Sequence, residues 1–427
     1  MQTKQPKEMY LLALTEMCQR FSFWGIANIL VLYLVQAHQL SDQFADQLFG
    51  IFTGVAFILP LAGGYLADRL NYRLPVIWGM ISTSIGCFLL ATSVVPLLFI
   101  ALIFLSVGAS IFTPSIYALL GSLYHQKHSL RDSGFSIYYA AVNIGVFIGT
   151  IVLGAFGQGN HWNVAFLIAG IVQLLGLFPF SKALKNKELL QLATTRFQDK
   201  KKKDVSLHPH EKKRIWVIAI LSLFSILFWV AYNQGGSSLN LFALRYTDRN
   251  IFNFEMPASW LLSSESLYLV LFSLPLAALY QYLAKRKRDP NPQTKSAISL
   301  FAIGICFLIM MIGSLQISAN ATHASVSAFF PLLAYAFMAL GEMLIAPIGL
   351  SLITHISPRR FTAMLVGVWY LCIGVAFYLG GALAPLMSKV THLSSFFLLF
   401  VIIAVVAGTA LMFIVKKLEK MRHLKTL

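Results

Sequence analysis

Long apolar runs alternate with short polar stretches from one end of this chain to the other. Twelve runs stand out, near residues 10–36, 47–68, 74–94, 97–121, 135–157, 162–181, 214–236, 259–284, 296–316, 327–354, 361–386 and 394–416. Crossing the hydrocarbon core of a bilayer takes about 20 apolar residues in a helix, and a lipid-exposed segment has to satisfy its own backbone hydrogen bonds. The pattern therefore predicts an all-α membrane protein with twelve transmembrane helices, numbered one to twelve below. The longest polar interruption divides them equally. It predicts an N-terminal six-helix bundle over residues 1–182, a cytoplasmic basic linker over 183–213 and a C-terminal six-helix bundle over 214–427. The first run does not read as a signal peptide: it is long, carries Glu16 and Arg20, and lacks a small-residue cleavage site.

Composition agrees with this reading, since 58% hydrophobic and 11% charged residues exclude an ordinary soluble domain. The formal charge of +17 suggests nucleic acid only until its placement is considered. With both termini and the even-numbered loops on one side, that side collects 29 of the 33 lysines and arginines. Arg245, Arg249 and Lys389 fall on the other side, and Arg20 lies inside helix one. The positive-inside rule then puts both termini in the cytoplasm. The charge serves topology and attraction to anionic lipids, with no nucleic-acid partner expected. Cys18, Cys87, Cys306 and Cys372 all fall within apolar runs and read as buried small hydrophobes. No metal site is expected; the His208/His210 pair in the linker has no partner cluster.

The informative residues are those that interrupt the runs. Glu16, Gln19 and Arg20 sit in the first half of helix one. Ionisable groups in hydrocarbon are costly, so they face a bundle interior or a wet cavity. Glu16 and Arg20 are i and i+4, on one face and able to pair. That face continues through Phe23, Trp24, Ala27 and Asn28. Two readings stand side by side: a functional pair lining a solute pathway, or a structural pair locking two helices.

The stretch Glu16-x-x-Gln19-Arg20-Phe21-x-x-Trp24-Gly25 resembles the helix-one signature Glu-x-x-Glu-Arg-Phe-x-x-Tyr-Gly of proton-dependent oligopeptide transporters, a family within the major facilitator superfamily. Other stretches resemble the same family. Gly64, Asp68, Arg69 and Arg73 match the superfamily's loop motif after helix two, to which the resemblance gives a gating role. Arg131-Asp132-Ser-Gly134-Phe135 through Tyr138, Asn143 and Gly145 match the helix-five signature. Phe228-Trp229 through Asn233-Gln234-Gly-Gly-Ser237-Ser238-Leu239, then Asp248-Arg-Asn250 and Pro257-Ala-Ser-Trp260, match the helix-seven block and its continuation. Gly341-Glu342 through Ala346-Pro347-Ile-Gly-Leu-Ser351 and Gly367-Val-Trp369 match helices ten and eleven. Four departures stand out: Gln19 and Asn233 replace glutamates, Thr113 replaces the lysine of helix four, and Ala27 replaces an arginine of helix one. Glu265 is an acid gained where the family has asparagine.

The resemblance implies the major facilitator fold, two six-helix bundles that expose a midplane cavity to each side in turn. It implies a secondary active transporter similar to proton-coupled di- and tripeptide symporters. Arg20, Trp24, Asn28, Asn143, Gln234, Glu265, Glu342 and Trp369 would bind substrate, with Glu342 receiving a terminal amine. Glu16, Arg20, Glu265 and Glu342 would carry proton coupling, with the proton as coupling ion and no other cofactor. The departures leave an alternative open: a transporter of a cationic or carboxylate-free amine or amino-acid-like solute, without proton symport. A non-transporting membrane sensor is a third class. An enzyme is not expected, since no nucleophile–base constellation is visible. The expected setting is the bacterial inner membrane, as a monomer, with a small-molecule substrate as partner.

Overall fold

The computed structural model describes residues 5–63, 71–124, 128–194, 209–251, 253–319, 321–356 and 362–422. Among these, twelve helices are long and apolar enough to cross a membrane. The chain divides into two compact units. One comprises Met1–Asp199 with Met256–Leu267, the other Lys200–Glu255 with Tyr268–Leu427.

The first unit is built around helix one, Lys7–Gln36, which carries buried residues on every side. Small residues on its neighbours allow this. Gly145 and Gly149 of helix five, His128–Gln158, face the backbone of Met17 and Phe21, where a Cβ would have no room. Such close approach maximises dispersion contact, the main source of helix association in lipid. On another face Ser22 Oγ donates to the Ala169 carbonyl of helix six at 2.7 Å. Helix six runs Trp162–Leu175 and restarts as Leu177–Ala183 after a turn at Gly176, beside Cys18 and Met80. Helix three, Arg73–Ala91, and helix four, Val95–Leu123, meet at Gly79 and Gly108, each against the other's carbonyl oxygen. Helix two starts at Asp42, capped by Ser41.

At the end carrying the chain's first residues, Met9, Leu12, Phe112, Ile116, Tyr124 and Tyr138 share a buried cluster. Leu189 joins them from a short helix, Lys187–Thr194, which lies inside the expected linker. Gln5 bridges helices four and five there, accepting from Tyr124 Oη at 2.7 Å and donating to Ser133 Oγ at 2.7 Å. Burial, and secondarily Tyr10, push the Tyr124 hydroxyl up to about 12, so it remains a donor at physiological pH.

In the second unit, helix seven runs Pro209–Asn233, turns through Gln234–Ser237 and continues as Ser238–Tyr246. Two small strand pairs follow, Thr247–Asp248 parallel to Val326–Ser327, and Asn250–Ile251 antiparallel to Phe254–Glu255. Helix nine, Pro292–Ser314, is capped by Asn291 and stacks Phe307 on Phe400 of helix twelve, Leu393–Arg422, at 4.7 Å. Helices ten and eleven are Phe329–Ile356 and Thr362–Leu383. Helix eight, Ala258–Lys285, is continuous, but its first ten residues pack with the first unit. The four cysteines are free thiols, with Cys87 and Cys306 buried and Cys18 and Cys372 half-buried.

Candidate functional site

Helix one delivers the spacing its sequence implies. Arg20 Nε donates to Glu16 Oε1 at 2.6 Å. The other carboxylate oxygen, Oε2, accepts from Tyr138 Oη of helix five at 2.9 Å. Glu16 has no exposed surface, whereas the Arg20 side chain keeps 15%. Tyr117 of helix four packs edge-on against Tyr138, their centroids 5.3 Å apart. The pair is thus a three-helix cluster, and both Glu16 oxygens are engaged.

Gln19 points elsewhere. Its Oε1 accepts from Gln173 Nε2 of helix six, with both side chains buried. The position that holds the family's second acid carries a neutral amide clamp here. Gln173 is not singled out by the sequence pattern; its only signal is a glutamine inside the apolar run 162–181. Tyr138, likewise, lies in a recognised motif, yet nothing in its spacing announces Glu16 as its partner.

The remaining first-unit residues divide between packing and polar contacts. Trp24 is half-buried between Phe23 at 5.6 Å and Phe57 at 6.0 Å. Asn28 Nδ2 donates to Thr150 Oγ1 of helix five at 2.9 Å. Asn143, expected to bind substrate, is buried and donates from Nδ2 to the Tyr139 carbonyl of its own helix at 3.0 Å. Ala27 has no exposed surface, so this position is part of the packed interior. Thr113 is half-buried beside Pro114, the proline inside helix four. Glu265 is buried near the start of helix eight and accepts from Ser266 Oγ at 3.4 Å.

In the second unit, Gln234 is fully buried and clamps helix seven to helix eleven. Its Nε2 donates to the carbonyls of Gly380 at 2.9 Å and Val230 at 3.2 Å, and its Oε1 accepts from Ser238 Oγ at 2.7 Å. A Cβ on Gly380 would lie 2.7 Å from Asn233 Oδ1, so glycine is what admits the Asn233 side chain. Glu342 is half-buried on helix ten. The Phe228 ring fills the space beside Gly341, 2.8 Å from where a Cβ would stand. Phe228, Trp229 and Tyr232 of helix seven associate with one another, and Trp229 and Tyr232 with Phe377 of helix eleven, at 5.1–6.4 Å between centroids. Trp369 is buried. Arg73 opens helix three and is exposed, while Gly64, Asp68 and Arg69 lie outside the described residues, as does His208. Among the described residues no cluster of three His, Cys, Asp or Glu is placed to hold a metal.

The family model of the Major Facilitator Superfamily matches residues 12–330. The chain belongs to that superfamily. This facilitator is 27% identical over 427 aligned residues to the peptide transporter YePEPT of Yersinia enterocolitica subsp. palearctica, covering 84% of this chain and 83% of that protein. It is 26% identical over 429 residues to dipeptide and tripeptide permease B of Salmonella typhimurium, covering 89% and 87%. Among solved structures, a peptide transporter POT in complex with sulfate matches with a TM-score of 0.88 at 22% identity, over 99% of this chain and 97% of that one. A POT family transporter in complex with 5-aminolevulinic acid matches with a TM-score of 0.88 at 21% identity, over 98% of both chains. The facilitator is an integral membrane protein with the fold of these transporters.

Proposed function

We propose that this facilitator is a proton-coupled symporter of di- and tripeptides, a divergent relative of the proton-dependent oligopeptide transporters, working by alternating access around a midplane cavity. The observation that carries the reading is the buried Glu16–Arg20–Tyr138 cluster, in a chain that aligns over most of its length with proteins named for peptide transport. An intramembrane ion pair of this kind marks a solute or proton pathway by default. A proton arriving at Glu16 has to displace Arg20 or Tyr138, and displacement of Arg20 frees its guanidinium for a substrate carboxylate. Glu342 receives the terminal amine, and Glu265 supplies a further intramembrane acid. Trp24, Asn28, Asn143 and Trp369 shape the surroundings, and Gln234 acts through the helix seven–helix eleven junction. No cofactor besides the proton is needed. The charge asymmetry supports cytoplasmic termini and contact with anionic lipid; an inner-membrane setting and a monomeric state accompany the family reading.

A second reading has specific support. Ala27 is sealed in the interior, Thr113 is neutral, and Arg20 is already engaged by Glu16. The carboxylate-binding side is poor in cations, while Glu265 and Glu342 remain. A cationic or carboxylate-free amine would suit that balance.

The test is Glu342→Gln in purified protein reconstituted into liposomes. Accumulation of a labelled dipeptide is expected to fall at least tenfold. Unchanged uptake by the folded variant removes Glu342 from the binding site. Thermal stabilisation by carboxylate-blocked dipeptides, with none from free dipeptides, moves the assignment to the second reading.

A further inference from the structure

The Pro257-Ala-Ser-Trp260 stretch has no role in the function derived above, yet Ser259 and Trp260 tie the start of helix eight to helix five. Ser259 donates from its backbone N at 3.2 Å and from Oγ at 3.3 Å to Gln158 Oε1, at the end of helix five. Two turns back along helix five, the Ile151 carbonyl accepts from Trp260 Nε1 at 2.9 Å. Between them Gly154 leaves the space that Ser259 Oγ occupies. Residues 257–266 are buried except for half-buried Trp260. Glu265 lies in this stretch, five residues or about 7.5 Å along the helix from Trp260.

The rest of helix eight is held differently. From 267 to 285 only Leu269 is buried. Of its most apolar eighteen residues 6% are buried, against 33–72% in the other eleven spans. The helix also changes unit within its length, at Leu267–Tyr268. Ser263 and Ser264 donate back to the carbonyls of Trp260 and Leu261 at 2.7 and 2.6 Å, and Pro275 interrupts the ladder further on. Serine back-bonding and internal proline both favour bends. Neutral interhelical hydrogen bonds are individually weak in membranes.

We propose that Gln158, Ser259 and Trp260 form a releasable clasp that decides whether Glu265 is sealed in the first unit or open to solvent, and so are positioning residues for Glu265. This deepens the transport reading and rests on it. When Ser259 and Trp260 let go of helix five, the ten residues carrying Glu265 leave the first unit, and the acid meets solute and protons.

Release can be read without any transport. Leu262→Cys, which leaves Gln158, Ser259 and Trp260 intact, is placed in a background lacking the four native cysteines and reconstituted in nanodiscs. A polar maleimide is then applied to both faces. The Leu262 side chain is buried in the closed clasp. Slow native-state labelling is expected, accelerated at least fivefold by Trp260→Phe, which keeps the ring and removes the donor. No labelling over hours, or a rate indifferent to Trp260→Phe, overturns the clasp as a moving part. A second measurement uses Gly154→Cys with Ser259→Cys. The Cβ built on Gly154 lies 3.2 Å from Ser259 Cβ, close to the about 3.5–4.5 Å of a disulfide. The cross-linked protein should lose uptake and regain it on reduction; undiminished uptake while cross-linked also overturns the proposal. If no variant or parent transports any peptide or amine, the transport reading fails, and the labelling result still decides whether the clasp opens.

Discussion

Glu16 illustrates how much a buried carboxylate depends on its complete set of partners. With no exposed surface, it relies on Arg20 for one oxygen and Tyr138 for the other. Removing one member of a buried pair costs about 3–5 kcal/mol, because the survivor keeps its charge without compensation. Arg20 retains some exposure, so Glu16→Ala should fall at the low end of that range. Glu16→Ala/Arg20→Ala should be less destabilised than the sum of the single changes. Thermal unfolding in detergent measures both, and additive losses would mean that the pair is not coupled. The i, i+4 spacing made this pair legible in the sequence; Tyr138 was not, because it arrives from 122 residues away and no local spacing encodes it. His38 makes a different residue-scale case, outside the membrane spans. Its Nε2 lies 2.8 Å from Tyr33 Oη, and burial lowers its pKa. The folded state therefore favours neutral imidazole. That contribution is present above the unfolded value of about 6.5 and is lost as pH falls through the lower, folded value. The melting temperature of the parent should drop more than that of His38→Gln between about pH 7 and pH 5; parallel curves would remove His38 from the account.

Among the elements, the helices themselves were legible because each apolar run is long enough to cross a membrane and too uniform to do anything else. Their ends were less so. Helix one begins at Lys7, three residues before its apolar run, and helix six breaks at Gly176 inside a run that reads as continuous. Side-chain direction was the least accessible quantity. Asn143 turns to its own backbone, and Gln234 binds helix eleven through Gly380. The first is a choice between the helix's own backbone and a neighbour that spacing does not decide, and the second depends on Gly380, which the helix-seven motif does not contain. The Gln19–Gln173 clamp belongs to this scale, since it ties helix one to helix six at the position where the family has an acid. Gln173→Leu leaves Gln19 buried without its donor and should cost about 1–3 kcal/mol. Gln19→Leu/Gln173→Leu removes both amides together and should recover most of that loss. A double variant as unstable as the two singles combined would show that the amides act separately.

For the molecule as a whole, twelve spans, two compact units and superfamily membership describe a membrane protein that handles solutes. The fold was readable from apolar runs and motif order, whereas the solute depends on charge balance inside the protein. Gln19, Thr113 and Asn233 each remove a titratable group relative to the family pattern, and Glu265 adds one. Proton coupling through this altered set is the central claim. It is tested most directly by uptake of a labelled dipeptide into proteoliposomes, with and without an inward proton gradient. The account predicts accumulation above equilibrium only with the gradient, abolished by a protonophore. Equal uptake in both conditions, or none by demonstrably folded protein, would contradict it.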